Sequence, residues 1–536
     1  MRSQIPTQLS SLSHGWACMG TGRAWCLPLL LGLFLATSTG CPAQGWGGVA
    51  VVAAQEPLPA EVRPVLQEEQ GARVSQVVDS LLAQWDRPDS PGAAVVVIQD
   101  GEPIHLAGYG MASLEHGVPN RAETVFDVAS ISKQFTAYAV ALLEADGALS
   151  LDDPARRHIP ELPEVAEQVT IRHLVHHTSG IRDWPGALFM AGWSFEDVLS
   201  FRHILRMTYQ QSELNFDPGE EYAYSNTGYN LLAEVVSRVS GKGFGEFTRK
   251  RIFEPLDMQD TRFLEDHGQV IPGRAESYAP DASHDLGYRR VTSNLTAYGS
   301  SSLFTTAQDL GRWMAHLQRP DFDRKEVVER LGEHGILNGG ESIRYGWGQM
   351  VDVLAGWPIF RHGGAWAGYR SVLVHAPERQ LGVAILGNTA VMDADGLGEE
   401  ILRWLLEEGD SLGGGQEAGV GPVSAATGSG RADEPEPEPS WSPDAQELVE
   451  YGGRYRSPEL DSRYTLRIQD GMLLAEHFRL GVQLLRPLRP DHFRAPGFGE
   501  VRFTRDREGR ITGFTATQPR IRDLRFLRED GGGPER

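Results

Sequence analysis

Apolar runs far apart in the sequence predict the strands of one sheet. Residues 93–98 and 104–109 are apolar runs separated by Asp100-Gly101, a dipeptide typical of tight hairpin turns. Residues 371–375 and 382–386 form a similar pair much later in the chain. We therefore expect two hairpins that are distant in sequence.

Helical spacing of apolar residues brackets these hairpins. Residues 71–88 place apolar side chains at helical intervals before the first hairpin, and residues 397–406 do so after the second. The segments between the hairpins are mostly helical or loop-like. Strands at both ends with helices in the middle predict an α+β domain whose antiparallel sheet is assembled from distant parts of the chain.

The pattern changes after residue 408. Residues 409–443 are rich in glycine, proline, serine and alanine, which predicts a flexible linker. Short alternating segments separated by Asp-Gly and Glu-Gly turns then fill residues 444–530. We therefore expect a main domain over residues 71–408 and a small C-terminal antiparallel β-barrel, either packed on the main domain or merely tethered to it.

Residues 1–54 have the pattern of an export leader. Arg23 precedes the apolar run 24–36, which is too short to span a membrane, and Val52-Ala53-Ala54 suits cleavage directly after it. We expect a processed, soluble protein that is periplasmic or extracellular. Lipidation at Cys41 is the alternative, and membrane attachment is expected only in that case.

Composition argues against several classes of function. The chain has 536 residues, of which 40% are hydrophobic and 23% charged, and its net charge of -22 argues against a nucleic-acid partner. The three cysteines, Cys18, Cys26 and Cys41, all lie in the predicted leader. Cleavage of the leader would remove every disulfide, cysteine nucleophile and thiolate metal site, and no cofactor is expected.

The strongest chemical signal is Ser130 followed by Lys133. The apolar spacing after them predicts a helix that begins near the serine and stops near Gly147. Lys133 would lie one turn from Ser130 on the same face, and N–H groups at a helix N-terminus favour negative charge. A neutral Lys133 could take the serine proton. The alternative is a capping serine followed by a surface lysine.

Lysine usage favours the catalytic interpretation. The chain has four lysines, Lys133, Lys242, Lys250 and Lys325, and uses arginine for nearly all of its other positive charges. Arginine is effectively never deprotonated in proteins, so it cannot replace lysine as a base. Because the chain uses so few lysines, the presence of one at position 133 favours a role that arginine could not fill, namely that of a base for Ser130.

Tyr224 and Asn226 form a second candidate element. The phenol of Tyr224 can relay a proton to a leaving group and later activate water. The amide of Asn226 can orient Lys133 or a substrate amide. The alternative is a polar loop that leads into a helix.

A third element is the run His362-Gly363-Gly364-Ala365. The two glycines would let a substrate backbone approach a strand edge, and His362 could donate to a substrate carboxylate or carbonyl. The backbone N–H groups of Ala365 and Ser130 are the candidate oxyanion hole. The alternative is a glycine turn with a structural histidine.

These three elements, in this order, resemble the motifs of the penicillin-recognising serine hydrolases, which include class C β-lactamases, D-alanyl-D-alanine carboxypeptidases, D-aminopeptidases and related esterases. The resemblance covers about residues 71–407. It implies a β-lactamase/transpeptidase-like fold with an all-helical subdomain, an acylated Ser130, and Lys133 as its base. It also implies a small-molecule or peptide substrate, with cell-wall fragments among the candidates.

Two features indicate which branch of this family the chain resembles. His362 stands where most true β-lactamases carry lysine, and a mostly neutral histidine attracts a β-lactam carboxylate less strongly. Tyr224 is typical of the class C, peptidase and esterase branch. We therefore expect a D,D-peptidase, D-aminopeptidase or esterase. The alternatives are a weak β-lactamase and a catalytically silent binding protein of the same fold.

Two further motifs carry less weight. Residues 409–413 match G-x-S-x-G, but they follow a helical run and enter the predicted linker, so the strand–turn–helix context of a nucleophile elbow is missing. His173, His176 and His177 form a cluster without an obvious carboxylate ligand. We interpret the first as a chance match and the second as part of a structural loop, and we predict no metal site.

Overall fold

The computed structural model describes residues 63–320, 324–412 and 441–529. All of them belong to one compact unit that starts at Pro59. The predicted leader and most of the predicted linker lie outside the described residues.

The helices concentrate between the two predicted hairpins. Their bounds are Arg63–Leu82 (α1), Ser132–Ala145 (α2), Ala155–His158 (α3), Ile171–Val175 (α4), Trp184–Met190 (α5), Phe201–Tyr209 (α6), Asn226–Ser240 (α7), Phe244–Thr248 (α8), Ala307–Gln318 (α9), Lys325–Arg330 (α10), Ala394–Leu412 (α11) and Ala445–Leu448 (α12).

The strands fall into the main domain and the C-terminal barrel. In the main domain they are Ala93–Gln99 (β1), Glu102–Tyr109 (β2), Met111–Ser113 (β3), Val118–Pro119 (β4), Phe126–Asp127 (β5), Leu199–Ser200 (β6), Arg262–Phe263 (β7), Tyr278–Pro280 (β8), Tyr288–Arg290 (β9), Leu295–Thr296 (β10), Leu303–Thr305 (β11), Met350–Leu354 (β12), Trp357–Trp366 (β13), Tyr369–Ala376 (β14) and Leu381–Gly387 (β15). In the barrel they are Gly453–Ser457 (β16), Ser462–Gln469 (β17), Met472–His477 (β18), Gly481–Arg489 (β19), His492–Ala495 (β20), Gly499–Arg505 (β21), Ile511–Gln518 (β22) and Ile521–Arg528 (β23).

The central sheet has the strand order β12-β13-β14-β15-β1-β2, and its neighbours are antiparallel. The two predicted hairpins meet where β1 pairs with β15, with Val95 opposite Ile385. Asp100 and Gly101 both have positive φ, as the first hairpin turn requires. This assembly from distant segments confirms the α+β prediction.

Helices cover both faces of the sheet, which explains the continuous apolar run of β1. On one face, Val95 and Val97 belong to a core cluster with side chains of α1 and α11. On the other face, Val96 and Ile98 join a cluster that includes α2, α7 and α9. Residues 132–143 of α2 are all buried, so a lysine at the start of this helix is buried as well.

Two predicted helices differ from the structure at their ends. The first helix spans Arg63–Leu82 rather than residues 71–88, since a turn leading to Pro88 follows it. The helix after β15 continues to Leu412 and so includes residues 409–412, which were predicted as linker. Apolar spacing indicates the buried face of a helix and does not fix the residues at which the helix begins or ends.

The C-terminal barrel is closed by eight strands, β16 to β23, and packs on the main domain. Trp184 and Leu188 of α5 share a core cluster with Tyr464 and Ile521 of the barrel. The Tyr464 hydroxyl donates to the carbonyl of Met190 at 2.6 Å. Of the two arrangements that the sequence left open, the structure has the packed one.

No helix among the described residues combines the length and apolar character needed to cross a membrane.

Candidate active site

Ser130 lies on a 3-10 turn, Ala129–Ile131, that leads directly into α2. Ala129 has a φ of +45°, and its N–H donates to Oδ1 of Asp127 at 2.9 Å. This turn leaves Ser130 half-buried, while Lys133 is fully buried. The predicted serine at a helix N-terminus is therefore present, with α2 beginning at Ser132.

Lys133 is surrounded by three hydrogen-bonding partners. Its Nζ lies 3.0 Å from Oγ of Ser130, 2.8 Å from Oδ1 of Asn226 and 2.7 Å from the carbonyl of Ser300. The last two partners can only accept, so they take two N–H bonds of Lys133. In a neutral amine the lone pair is then left for the Ser130 hydroxyl.

Burial lowers the pKa of Lys133 well below its usual value. The carboxylate of Asp183 opposes this shift by favouring the ammonium form, and the guanidinium of Arg520 adds to it by like-charge repulsion. The net direction favours the neutral amine that a general base must be.

Tyr224 lies against both catalytic candidates. Its hydroxyl hydrogen-bonds Ser130, and Nζ of Lys133 is 4.8 Å from the centre of its ring. Burial raises the pKa of Tyr224, although the bond to Ser130 and the charge of Arg520 act in the opposite direction. Tyr224 is therefore a protonated phenol at neutral pH, placed beside the serine oxygen.

Asp183, which the sequence analysis did not single out, organises this group. It precedes α5 and is buried. Its Oδ1 accepts from the backbone N–H of Asn226 at 2.8 Å, and its Oδ2 accepts from the Asn226 side chain at 3.2 Å. These two bonds fix the Asn226 amide with its oxygen toward Lys133.

His362 lies in β13 and is also buried. Its Nδ1 is 2.7 Å from the carbonyl of Gly363, which requires a proton on that nitrogen, and its Nε2 is 3.4 Å from the hydroxyl of Tyr345. Burial lowers the pKa of His362 to about 3. In this arrangement the neutral ring donates its one proton to the Gly363 carbonyl, and a role of His362 toward a substrate stays a prediction.

The two glycines of β13 lie close to other parts of the protein, and at Gly364 the neighbour is backbone. A Cβ on Gly363 would lie 2.6 Å from the carboxylate of Asp395, and a Cβ on Gly364 would lie 2.2 Å from the carbonyl of Val128. Val128 precedes the turn that carries Ser130. Gly364 therefore lets β13 come close to the turn that carries Ser130, whereas the sequence interpretation assigned both glycines to substrate approach.

Ala365 is exposed on an open strand edge. Residues 362–366 of β13 pair with β14, while the β12 pairing stops at Arg361. β13 packs against the turn that carries Ser130. An oxyanion hole made by the N–H groups of Ala365 and Ser130 stays a prediction.

The histidine cluster has structural contacts. Nδ1 of His173 accepts from the N–H of Thr170 at 3.2 Å, and Nδ1 of His177 accepts from the N–H of Ser225 at 3.1 Å. The ring of His177 packs 4.4 Å from the ring of Tyr224. Within residues 63–320, 324–412 and 441–529, no group of three potential ligand side chains is arranged to hold a metal ion.

The barrel contributes a side chain to this site. Arg520, between β22 and β23, places Nη1 3.2 Å from Oδ2 of Asp183 and its guanidinium carbon 4.7 Å from the centre of the Tyr224 ring. No local pattern could have indicated Arg520, since only the docking of the barrel brings it to Tyr224. The carbonyl of Ser300 escaped the sequence analysis because every residue has such a group.

The main domain matches known proteins over nearly its whole length. A family model described as Beta-lactamase matches residues 74–407. Penicillin-binding protein 4* of Bacillus subtilis (strain 168) is 32% identical over 311 residues, which are 55% of this chain and 67% of that protein. A D-aminopeptidase of Gluconobacter oxydans (strain 621H) is 28% identical over 317 residues, and the match spans 59% of each chain.

Solved structures show the same fold. The octameric penicillin-binding protein homologue from Pyrococcus abyssi has a TM-score of 0.55 and 23% identity, covering 85% of this chain and 100% of that chain. The D-amino acid amidase from Ochrobactrum anthropi SV3 complexed with L-phenylalanine has a TM-score of 0.51 and 21% identity, covering 63% and 99%.

Proposed function

Because the chain belongs to the beta-lactamase family of serine hydrolases, we propose that it cleaves peptide, D-amino-acid amide or ester bonds through an acyl-enzyme on Ser130. The observation that carries this proposal is the environment of Lys133. Two obligate acceptors occupy its N–H bonds, and Oγ of Ser130 lies 3.0 Å from Nζ as the third partner.

Acylation begins with proton transfer from Ser130 to Lys133. As Oγ bonds to the substrate carbonyl carbon, its proton moves to Nζ and the carbonyl oxygen becomes an oxyanion. Collapse of this intermediate breaks the bond to the leaving group. The leaving nitrogen or oxygen takes a proton from Tyr224, which recovers one from Lys133.

Deacylation uses the same groups in reverse. A water molecule replaces the leaving group, gives its proton to the Lys133–Tyr224 pair and bonds to the acyl carbon. Breakage of the ester bond returns the proton to Oγ of Ser130 and releases a carboxylic acid. The N–H groups of Ser130 and Ala365 are the donors that we assign to both oxyanions.

The neutral state of His362 affects which class of substrate the site favours. A histidine with a pKa of about 3 carries no charge at neutral pH, so it supplies no cation for the carboxylate of a β-lactam. Among the relatives, D-aminopeptidases recur, and one structural neighbour is a D-amino acid amidase. These observations support peptide, amide or ester hydrolysis ahead of efficient β-lactam hydrolysis.

Two measurements test the proposal. A fluorophosphonate probe is expected to label the wild-type protein and not Ser130→Ala, and a panel of nitrocefin, p-nitrophenyl butyrate and D-alanine p-nitroanilide should show turnover of the ester or anilide. A folded wild-type protein that resists the probe would contradict the proposal and favour a catalytically silent binding protein.

We also propose that the protein is exported, on the basis of the leader pattern in residues 1–54. Expression of the full chain followed by cell fractionation should find it outside the cytoplasm. The variant Cys41→Ala should not alter that distribution if processing, rather than lipidation, releases it. Retention of the wild type in the cytoplasm would contradict export.

A further inference from the structure

The turn between β22 and β23 is held at the active site by backbone contacts. The carbonyl of Arg520 accepts from the N–H of Asp183 at 3.3 Å and from the side chain of Asn215 at 3.0 Å. The N–H of Arg522 donates to Oδ1 of Asn215 at 2.8 Å. A Cβ on Gly186 of α5 would lie 2.7 Å from the side chain of Ile521.

Side-chain ion pairs also stabilise the docked position of this turn. Arg182, which is buried, donates to both oxygens of the buried Glu459 in the barrel, each at 3.1 Å, and also to the carbonyl of Arg522. Arg522 in turn forms a bidentate pair with Glu221 at 2.8 and 2.9 Å. The turn that carries Arg520 is therefore positioned by contacts independent of the Arg520 side chain.

The Arg520 guanidinium retains donors for a ligand. Its contact with Asp183 uses Nη1, and the side chain is 50% exposed, whereas that of Asp183 is 4% exposed. Asp183 also accepts two bonds from Asn226, so its charge is stabilised without Arg520. The exposed edge of a guanidinium matches the geometry of a carboxylate.

The position of Arg520 indicates which part of a substrate it faces. It lies over the ring of Tyr224, the residue to which the proposed function assigns protonation of the leaving group. Lysine is absent from the β13 element, and His362 there is neutral and already hydrogen-bonded. The positive charge beside the leaving group thus comes from the barrel.

We propose that Arg520 is a specificity-determining residue that binds a carboxylate on the leaving group of the substrate. The inference rests on the proposed function, and it adds that the barrel makes the enzyme prefer substrates whose leaving group is an acid, such as the free C-terminal residue of a peptide. The barrel is then part of the substrate site.

Two thioesters with the same acyl group test this preference. One has thioglycolate as its leaving group and the other has thioglycolamide, so they share the reacting bond and differ by one negative charge. The wild-type protein should have a kcat/KM ratio of about ten or more in favour of the acid, as expected for charge-assisted hydrogen bonds. Arg520→Gln should bring this ratio close to one, and Arg520→Lys should retain part of it.

Arg522→Gln is the matched control, because it removes an interface ion pair of the same turn and leaves Arg520 in place. The ratio of kcat/KM for the acid over the amide thioester in this variant should match that of the wild type. A wild-type ratio near one, or a preference that survives in Arg520→Gln, would overturn the inference while leaving the acyl-enzyme intact. If neither thioester is turned over, the proposed function is itself contradicted, and this inference with it.

Discussion

At the scale of single residues, the chemistry depends on one buried amine. Lys133 has three oxygen partners within 3.0 Å and no exposure to solvent. Desolvation of this kind disfavours the charged form and so lowers the pKa of the amine, as the proposed role of Lys133 as a base requires.

Replacement of Lys133 tests this role directly. Lys133→Arg should lower kcat/KM by about a thousandfold or more, because a guanidinium does not deprotonate and cannot accept the serine proton. Circular dichroism should still show the native fold. Lys242→Arg, which changes an exposed lysine, is the control and should keep full activity. Substantial activity in Lys133→Arg would rule out Lys133 as the base.

Removal of the Tyr224 hydroxyl should slow both halves of the reaction. Tyr224→Phe keeps the ring that packs on His177 and loses the contact with Ser130, so we expect kcat to fall by about a hundredfold with little change in stability. Pre-steady-state kinetics with an ester should show an altered burst. Tyr222→Phe, a nearby exposed tyrosine, is the control. An unchanged burst in Tyr224→Phe would mean that another group transfers the proton.

At the scale of elements, the site is made where β13 meets the turn before α2. Hydrophobic spacing and the Asp100-Gly101 turn were enough to predict four of the six strands of the central sheet (β1, β2, β14 and β15) and the helix after Ser130, whereas β12 and β13 were not predicted. The ends of α1 and α11 were not predictable, because apolar spacing indicates which face of a helix is buried and does not fix where the helix begins or ends. Asp183 and the Ser300 carbonyl also escaped prediction, since their role depends on contacts between distant segments.

The approach of β13 to the nucleophile turn depends on Gly364. Gly364→Ala should push β13 away from Val128, with a loss of stability of about 1–3 kcal/mol and a larger proportional loss of activity. Urea unfolding and kcat/KM would measure both. Gly339→Ala is the matched control, because nothing lies within 4 Å of a Cβ at that position. Full activity in Gly364→Ala would show that the close approach is not needed.

At the scale of the whole molecule, buried histidines make stability depend on pH. Burial lowers the pKa of His362 to about 3 and those of His176 and His375 to about 4. Between these values and 6.5 the unfolded chain binds more protons than the folded one, so stability falls as the pH falls. Asp127 acts oppositely, because burial raises the pKa of its carboxyl to about 6.

At pH 5, the three histidines gain protons when the chain unfolds and Asp127 loses one. The net uptake over these four groups is about two protons. The midpoint of urea unfolding should therefore decrease from pH 6.5 to pH 4.5. Asp127→Asn should steepen this dependence, because it removes the opposing group while the amide oxygen can still accept from Ala129. A midpoint that is constant or rises over this range would contradict the prediction.

The docked barrel was the feature of the whole molecule that the sequence left open. A linker pattern is compatible with tethering or packing, and only the shared core of Trp184, Tyr464 and Ile521 with the buried Arg182–Glu459 pair decides between them. The candidate active site therefore combines motifs that the sequence predicts with one neighbouring barrel residue, Arg520, that the sequence does not indicate.

The proposed mechanism requires that Ser130 is acylated during turnover. Rapid mixing with p-nitrophenyl acetate, acid quenching and mass spectrometry of the digested protein measure this directly. We predict a burst of about one nitrophenol per chain and one acetyl group on the peptide that contains Ser130, both absent in Ser130→Ala. Turnover by folded wild-type protein with no acetyl group on that peptide, or with the group on another residue, would contradict the account.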